Sequence, residues 1–425
     1  MIGFLSKGLA RDRSRSMFPI MVIVMGVAIV VLMNAYINGA VGGMYRTTAK
    51  FNTGHVKIQT RAAIQENVIG AADLSLLGNR ALLEDLEKEI PEMTFHERIY
   101  FGALLDVPDE KSETKYQSTS MITAVDLTSP RNEIKTLSLK KSLVEGRLPT
   151  AANEVLIAQL FKENIGINLG NNITLIGADI DGGMAVGNFV VVGTIRFGVI
   201  QLDRTSLVMD VKGAREFLAM PDGATEIFGF YKDGQYFYHR PEAVVKTFNA
   251  RHLNPSDEFS PQMRMLEQQN DLESLMVIYA NMTGYIDSIF IMIMAIVLWN
   301  TGLMSGIRRY AEMGVRLAMG ETKKHVYSTL LIESVLVGIV GTIIGTGVGL
   351  IPAYWLQEVG FDITEMLGNQ QMAIMMEDRI RAQIQTGTFF AGILPGILAP
   401  LVGALISGFG IFRRDTSRLF VELEV

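Results

Sequence analysis

Residues 329–355 read TLLIESVLVGIVGTIIGTGVGLIPAYW, a long apolar run in which Glu333 is the one charged residue. A helix needs about 20 mainly apolar residues to cross a hydrocarbon core about 30 Å thick, and this run exceeds that length. Three further windows of the same kind are residues 17–37, 285–304 and 388–412. The sequence therefore predicts a membrane protein with four transmembrane helices.

The composition agrees with a membrane protein that also has a large water-exposed domain. Charged residues make up 19% of the 425 residues, below the share that is usual in soluble proteins. The apolar residues are concentrated in the four windows, whereas residues 38–284 have an ordinary globular composition and are long enough for one large domain or two modest ones. The chain has no cysteine, which excludes disulfides, thiolate nucleophiles and cysteine metal sites.

The basic residues predict the orientation, because Lys and Arg are enriched in the cytoplasmic segments next to transmembrane helices. They occur before the first window, between the second and third, and after the fourth, at Lys7, Arg11, Arg13, Arg15, Arg308, Arg309, Arg316, Lys323, Lys324, Arg413, Arg414 and Arg418. The link between the third and fourth windows is mainly acidic. We therefore predict that both termini are cytoplasmic and that the large domain lies on the opposite side of the membrane.

The periodicity predicts an α+β fold for the extracytoplasmic domain. Residues 54–60 alternate like a strand, Leu83, Leu86 and Ile90 recur at helical spacing, and residues 95–107 and 117–125 resemble strands. Short strands with turn residues predict a β-rich lobe at about 142–232, and helices are expected at 241–252 and 262–279. The predicted parts are residues 1–40, with an amphipathic N-terminal helix and the first span, 41–280, the extracytoplasmic domain, and 281–425, the other three spans.

The sequence contains no pattern that points to catalysis or metal binding. The histidines lack metal-ligand spacing such as H-E-x-x-H, and no phosphate-binding or dinucleotide-binding glycine loop is present. We therefore predict that the chain is not an enzyme and holds no cofactor or metal. Any action driven by ATP requires a separate subunit.

Two segments carry candidate functional residues. The third window contains Gly338, Gly341, Gly345 and Gly349, of which the last three form two overlapping G-x-x-x-G pairs, a spacing that lets another helix pack closely. At about 305–325, a basic amphipathic segment, SGIRRYAEMGVRLAMGETKKH, is typical of a short helix parallel to the membrane that docks in a partner's groove. An interfacial helix without a partner is the alternative interpretation of that segment.

The residues from 305 to 349 resemble the permeases of the FtsX/MacB/LolC-LolE superfamily, whose pattern is R-x-R-E-I-G-I-L-R-A-L-G-A, a basic stretch, and then E-x-x-x-x-G-x-x-G-x-x-x-G. The matching residues are Arg308, Arg309, Glu312, Gly314, Arg316, Met319, Gly320, Glu333, Gly338, Gly341 and Gly345. The order of the apolar windows is similar too, and residues 145–177 resemble an outer-domain segment of these permeases. Ala311 and Met313 depart from the pattern.

The resemblance implies a mechanotransmitting permease in the bacterial inner membrane, with its large domain in the periplasm, built from Porter and Sabre-like lobes. It implies that Arg308, Arg309, Glu312, Gly314, Arg316 and Gly320 couple the chain to a cytoplasmic ABC ATPase dimer, which binds ATP and Mg. It also implies a second permease subunit, either an identical chain or a paralogue. Membrane lipid is an expected partner, and nucleic acid is not.

Within the superfamily, residues 47–63, TTAKFNTGHVKIQTRAA, look most like the lipoprotein-release branch. This predicts extraction of lipoproteins or other lipid-anchored cargo, with a periplasmic lipoprotein carrier or adaptor as a further partner. Two alternatives stay open: a MacB-like efflux permease for peptides or drugs, and an FtsX-like regulator of cell-wall hydrolases.

Overall fold

The computed structural model of the protein describes residues 13–66, 70–108, 113–234, 236, 240–269, 272–274, 277–278, 281–282, 284–286, 288–297, 315–317, 319–363, 377 and 379–413. The chain divides into two compact units. The helical unit comprises Met1–Gly42, Val277–Asp362 and Ile380–Val425, and the sheet unit comprises Gly43–Met276 and Ile363–Arg379. The predicted amphipathic helix at the N-terminus lies outside the described residues.

The helices are α1 (Arg13–Thr48), α2 (Arg61–Glu66), α3 (Asn79–Glu89), α4 (Leu139–Ser142), α5 (Gln159–Ile165), α6 (Ile200–Thr205), α7 (Val211–Phe217), α8 (Glu242–His252), α9 (Lys323–Val359), α10 (Thr386–Ala391) and α11 (Ile393–Arg413). A π-helical turn at Ala49–Thr53 follows α1, and 3₁₀ turns lie at Ala72–Leu74 and Leu266–Gln268. The strands are β1 (Val56–Thr60), β2 (Leu76–Leu77), β3 (Met93–Pro108), β4 (Thr114–Val125), β5 (Leu143–Gly146), β6 (Glu154–Ala158), β7 (Asn172–Ala178), β8 (Met184–Ile195), β9 (Ser206–Asp210), β10 (Gly223–Ala224), β11 (Glu226–Tyr231), β12 (Pro261–Met265), β13 (Phe361–Asp362) and β14 (Arg379–Ile380).

Three stretches of the described chain are helical, long and apolar enough to cross a membrane: Met17–Thr53, Lys323–Val359 and Thr386–Ile406. They coincide with the first, third and fourth apolar windows. The helix over the second window, Gly284–Val297, is shorter, and residues 298–304 lie outside the described part of the chain. The structure thus shows apolar helices at three of the predicted spans, while a fourth span stays a prediction.

One part of the sheet unit is an antiparallel sheet covered by two helices. Its strands run in the order β12, β1, β11 and β3. Because side chains alternate between the two faces of a strand, Val56 and Ile58 of β1 lie on one face with Ile227 of β11. Leu86 of α3 and Phe248 of α8 pack into the same buried apolar cluster, which is the core of this part.

The remaining long strands close into a small barrel. Strand β3 pairs with β4, β4 with β9, β9 with β6, β6 with β8, β8 with β7, and β7 again with β3. The pairs β4–β9 and β6–β8 are parallel, and the others are antiparallel. Side chains from these strands fill the interior, among them Phe101, Leu105, Ile122, Ile173, Val191 and Leu207, all buried. A barrel of this size leaves room inside for side chains alone.

The strands expected within 142–232 are present, but the barrel they form includes β3 and β4, which come earlier in the chain. The segment DIDGG at residues 179–183 forms the tight turn that connects β7 to β8. Asp179 Oδ1 accepts hydrogen bonds from the N–H groups of Asp181 (3.0 Å) and Gly183 (2.7 Å), and Gly182 has a φ of +80°. Such side-chain-to-backbone bonds are typical of turns.

The prediction of a helix over 262–279 is wrong at its beginning. Residues Pro261–Met265 form strand β12, and Val56, Ile58 and Thr60 of β1 pair with Met265, Met263 and Pro261 in antiparallel register. The 3₁₀ turn Leu266–Gln268 follows. Pairing with a strand about 200 residues earlier outweighs a weak local preference, because tertiary contacts routinely override helix propensity.

Candidate functional site: a glycine-lined helix junction and a buried ionic layer

The four glycines of the predicted packing motif all lie against neighbouring helices of the helical unit. A Cβ built on Gly341 would lie 2.6 Å from Cγ2 of Ile23, and one on Gly345 would lie 2.8 Å from Cβ of Val27. A Cβ on Gly349 would lie 2.6 Å from the carbonyl oxygen of Ala28. Gly341, Gly345 and Gly349 of α9 therefore lie so close to α1 that any larger residue would force the neighbouring atoms to shift.

Gly338 of the same helix instead faces α11. A Cβ built on it would lie 2.8 Å from the carbonyl oxygen of Gly396, and one on Gly396 would lie 2.9 Å from Cγ2 of Val27. Val27 is fully buried and belongs to an apolar cluster with Ile23 and Val31. The three long helices α1, α9 and α11 thus meet around Val27 with glycine at each close approach, which we call the glycine junction.

A polar contact that the sequence analysis missed lies in the same unit. Asn34 Oδ1 on α1 accepts hydrogen bonds from Asn38 Nδ2 and from Thr388 Oγ1, both at 3.0 Å. Thr388 is fully buried, and Thr342 Oγ1 donates to the carbonyl of Gly338 at 2.7 Å. Polar side chains in apolar helices commonly join neighbouring helices. The i, i+4 spacing of Asn34 and Asn38 was a signal that the sequence already contained.

The predicted coupling residues are only partly described. Arg308, Arg309, Glu312 and Gly314 lie outside the described residues, whereas Arg316 and Gly320 lie inside them. The backbone N–H of Gly320 donates to Leu317 O at 3.1 Å, that of Glu321 donates to Arg316 O at 3.1 Å, and Gly320 has a φ of +93°. Glycine is favoured there because other residues are strained in this conformation.

Helix α9 begins immediately after that turn. Thr322 is its N-cap, and Oγ1 of Thr322 accepts a hydrogen bond from His325 N–H at 3.3 Å. Before it, Val315 is 53% exposed and Met319 is 73% exposed. The described part of the coupling segment therefore presents apolar side chains to its surroundings.

In the sheet unit, a layer of charged residues is buried on the sheet face opposite α3 and α8. Arg98 and Glu133 are fully buried, and Nε of Arg98 lies 3.0 and 2.9 Å from the two carboxylate oxygens. Lys57 and Glu226 are also buried, with Nζ 3.2 Å from Oε1. We call these residues and their hydrogen-bond partners the buried ionic layer. Neither pair was expected, because the partners come from distant segments: strand pairing places Glu226 beside Lys57, and Glu133 lies in the connection that follows β4.

The electrostatics of the layer follow from burial and pairing. Burial acts to lower the pKa of Arg98, but the neighbouring Glu133 and Tyr100 outweigh it and raise the pKa above its usual value. Burial raises the pKa of Tyr100, and burial lowers that of Lys57 although Glu226 acts in the opposite direction. Tyr100 is therefore a hydrogen-bond donor at neutral pH.

His55 lies between the π-helical turn and β1 and is 7% exposed. Its Nδ1 accepts a hydrogen bond from Tyr231 N–H at 3.1 Å, and its ring contacts Phe230, Tyr231 and Tyr236. Burial lowers the pKa of His55 to about 4. The neighbouring Asp233 acts to raise this pKa, but its effect is smaller than that of burial. The folded protein therefore keeps this imidazole neutral.

We expect His55 to make the fold less stable in acid. Because the unfolded chain takes up a proton near pH 6.5 and the folded protein only near pH 4, stability is lost as pH falls from about 6.5 to about 4, by about 3 kcal/mol. Urea unfolding of the full chain in detergent at several pH values measures this. His55→Gln should flatten the pH dependence of the unfolding free energy. A smaller slope should remain from His96, because burial lowers its pKa as well. The same slope in both proteins would contradict the assignment.

Among the residues that the structure describes, no group of three or more His, Asp or Glu side chains is placed to hold a metal ion.

Comparison with protein families places a known domain over the junction. Residues 288–416 match the family FtsX, described as FtsX-like permease C-terminal. These residues are therefore similar to the C-terminal domain of FtsX-like permeases. The match covers α9 and α11 but less than half of the chain, and it supports the expected resemblance to the FtsX/MacB superfamily.

A curated relative and a solved structure are also similar to parts of the chain. The macrolide export ATP-binding/permease protein MacB of Nitrosomonas europaea is 24% identical over 213 residues, which are 45% of this chain and 31% of that protein. The chain thus spans about a third of that relative. The crystal structure of the periplasmic region of MacB from Actinobacillus actinomycetemcomitans aligns with 52% of this chain and 94% of its own, at 11% identity and a TM-score of 0.35, too low to support an argument about fold. The lipoprotein-release branch stays a prediction.

Proposed function

We propose that the chain is the permease subunit of an ABC transporter of the FtsX/MacB type and works with a separate cytoplasmic ATPase. The observation that carries this proposal is the glycine junction, in which α9 and α11 of the segment that matches FtsX-like permeases pack against α1. Glycine at each close approach lets neighbouring helices pack tightly, and tightly packed helices are expected to move as rigid bodies. Such packing suits a device that transmits movement.

In this proposal the ATPase dimer binds ATP and Mg and closes against the segment at about 305–325. The movement passes through the four spans to the sheet unit, which lies in the periplasm of a bacterium, with both termini in the cytoplasm. A second permease subunit, identical or a paralogue, completes the complex. The exposed Val315 and Met319 support a docking role for the coupling segment, since exposed apolar residues beside basic ones are typical of a partner surface.

We propose lipoproteins or other lipid-anchored molecules as the cargo. The support is the resemblance of residues 47–63 to the lipoprotein-release branch, and these residues form the end of α1, the π-helical turn, β1 and the start of α2. Efflux of peptides or drugs is the second candidate, favoured by the similarity to a protein named for macrolide export. Mass spectrometry of complexes purified from native membranes distinguishes them, because a trapped lipoprotein supports the first and a periplasmic adaptor without lipoprotein supports the second.

The substitution Arg316→Glu tests the coupling segment. We expect it to abolish co-purification of the ATPase from native membranes, because it reverses a charge in the docking segment. Arg381→Glu is the matched control, since Arg381 is exposed and lies in the link predicted to be on the opposite side of the membrane. Equal amounts of ATPase with both variants would argue against the coupling role.

A further inference from the structure

The turn Ala49–Thr53 between α1 and β1 is π-helical. The N–H of Gly54 donates to the carbonyl of Ala49, five residues earlier, at 2.9 Å. The last carbonyls of a helix have no partner within the helix, and π-helical turns are rare and frequently lie at functional sites. Phe51 is buried, so its carbonyl requires a donor from elsewhere in the protein, and the neighbouring Asn52 is half-buried.

Phe51 O accepts the last hydrogen bond of a series that runs through the buried ionic layer. The carboxylate of Glu133 holds the guanidinium of Arg98, and Nη1 of Arg98 donates to the hydroxyl of Tyr100 at 2.9 Å. The hydroxyl of Tyr100 then donates to Phe51 O at 2.8 Å. A hydroxyl that accepts from a charged group becomes a stronger donor, so the ion pair strengthens the last bond.

Asn52 O accepts the last hydrogen bond of a second series within the buried ionic layer. Oε1 of Glu226 accepts from Lys57 Nζ at 3.2 Å and from Gln59 Nε2 at 2.8 Å. Nζ of Lys57 also donates to Asn52 O at 3.1 Å. Two separate buried ion pairs thus each supply one donor to consecutive carbonyls of the same turn.

We propose that Tyr100 and Lys57 are positioning residues that hold the π-helical turn on the sheet, so that movement of α1 is delivered to β1 at a fixed point. This proposal rests on the proposed function as a transmitting permease. An ion pair in an apolar core is often no more stabilising than packed hydrophobic residues, so stability alone does not account for two such pairs. The two ion pairs also fix the orientation of two hydrogen-bond donors: the hydroxyl of Tyr100 is held toward Phe51 O, and Nζ of Lys57 is held toward Asn52 O.

Hydrogen–deuterium exchange on the full chain in detergent tests whether these residues hold the turn. Tyr100→Phe removes the first donor and Lys57→Met the second, and we expect each to speed exchange of the Gly54 amide at least about tenfold, since that amide is protected by the turn. Tyr116→Phe is the control, because it removes the same hydroxyl group from an exposed side chain of β4. It should leave the exchange rate of the Gly54 amide unaltered. An unchanged rate at Gly54 in Tyr100→Phe or in Lys57→Met would overturn the proposal.

A second measurement separates positioning from stability. In vesicles with the ATPase, the two variants should hydrolyse ATP at close to the normal rate but move at least several-fold less cargo per ATP. A normal ratio despite faster exchange at Gly54 would also overturn the proposal, because the turn would then be held without positioning anything. If no ATPase associates with the unaltered chain, the proposed function fails, and the exchange rates still decide whether the two series of hydrogen bonds hold the turn.

Discussion

Replacing Glu133 with alanine is expected to destabilise the sheet unit by about 3–5 kcal/mol, because it leaves the fully buried Arg98 without its counterion. The guanidinium retains its contact with the ring of Phe228, 4.1 Å from the ring centroid, and its bond to Tyr100, but neither carries a negative charge. Urea unfolding of the full chain in detergent, followed by circular dichroism, measures the loss.

Two further variants test this explanation. Glu89→Ala removes a carboxylate from an ion pair with Arg251 in which both side chains are partly exposed, and it should cost less than about 1 kcal/mol. The double change Arg98→Met with Glu133→Leu removes both charges and should recover most of the stability lost by Glu133→Ala. If the double variant is as unstable as Glu133→Ala, the unpaired charge is not the cause.

The second large effect is expected at the glycine junction. Gly345→Leu should lower the stability of the helical unit by about 3 kcal/mol or more, because even the first carbon of the new side chain would lie 2.8 Å from Cβ of Val27 and 2.9 Å from the carbonyl oxygen of Val24. The helices must separate to accommodate it. Thermal unfolding of the purified chain in detergent measures the change, and the proposed coupling predicts that transport is lost as well.

Gly347→Leu is the matched control, two residues further along α9. A Cβ built on Gly347 meets nothing within 4 Å, so leucine there should be tolerated or slightly stabilising, since leucine is the better helix former. Equal destabilisation by the two substitutions would show that the close approach at Gly345 is not the cause.

The sequence predicted well those features that depend on local periodicity. The apolar windows at 17–37, 329–355 and 388–412 are helices, and the alternation at 54–60 marks β1. The helical spacing of Leu83 and Leu86 marks α3, whose inner face these residues form. In each case a pattern within the segment itself identifies the element: continuous apolar residues for the helices, alternation for β1 and helical spacing for α3.

Features that depend on pairing between distant segments could not be predicted in this way. The barrel arises because β7 pairs with β3, and β12 is a strand because it pairs with β1. The sequence motivated a prediction of close packing at the glycines of α9, but it did not indicate which helices lie against them. Arg98 and Lys57 look like ordinary exposed charges in alternating strands, and only the fold brings Glu133 and Glu226 beside them.

Strand β3 is one continuous stretch that belongs to two structures, with its first half in the helix-covered sheet and its second half in the barrel wall. The barrel therefore has no boundary in the chain at which it could be cut out as a module. Removing residues 142–232 would leave the second half of β3 and all of β4 with their apolar sides exposed, including Phe101, Leu105 and Ile122. We therefore expect insertions and substitutions in this region to be tolerated best in its hairpin connections and at its outward-facing side chains.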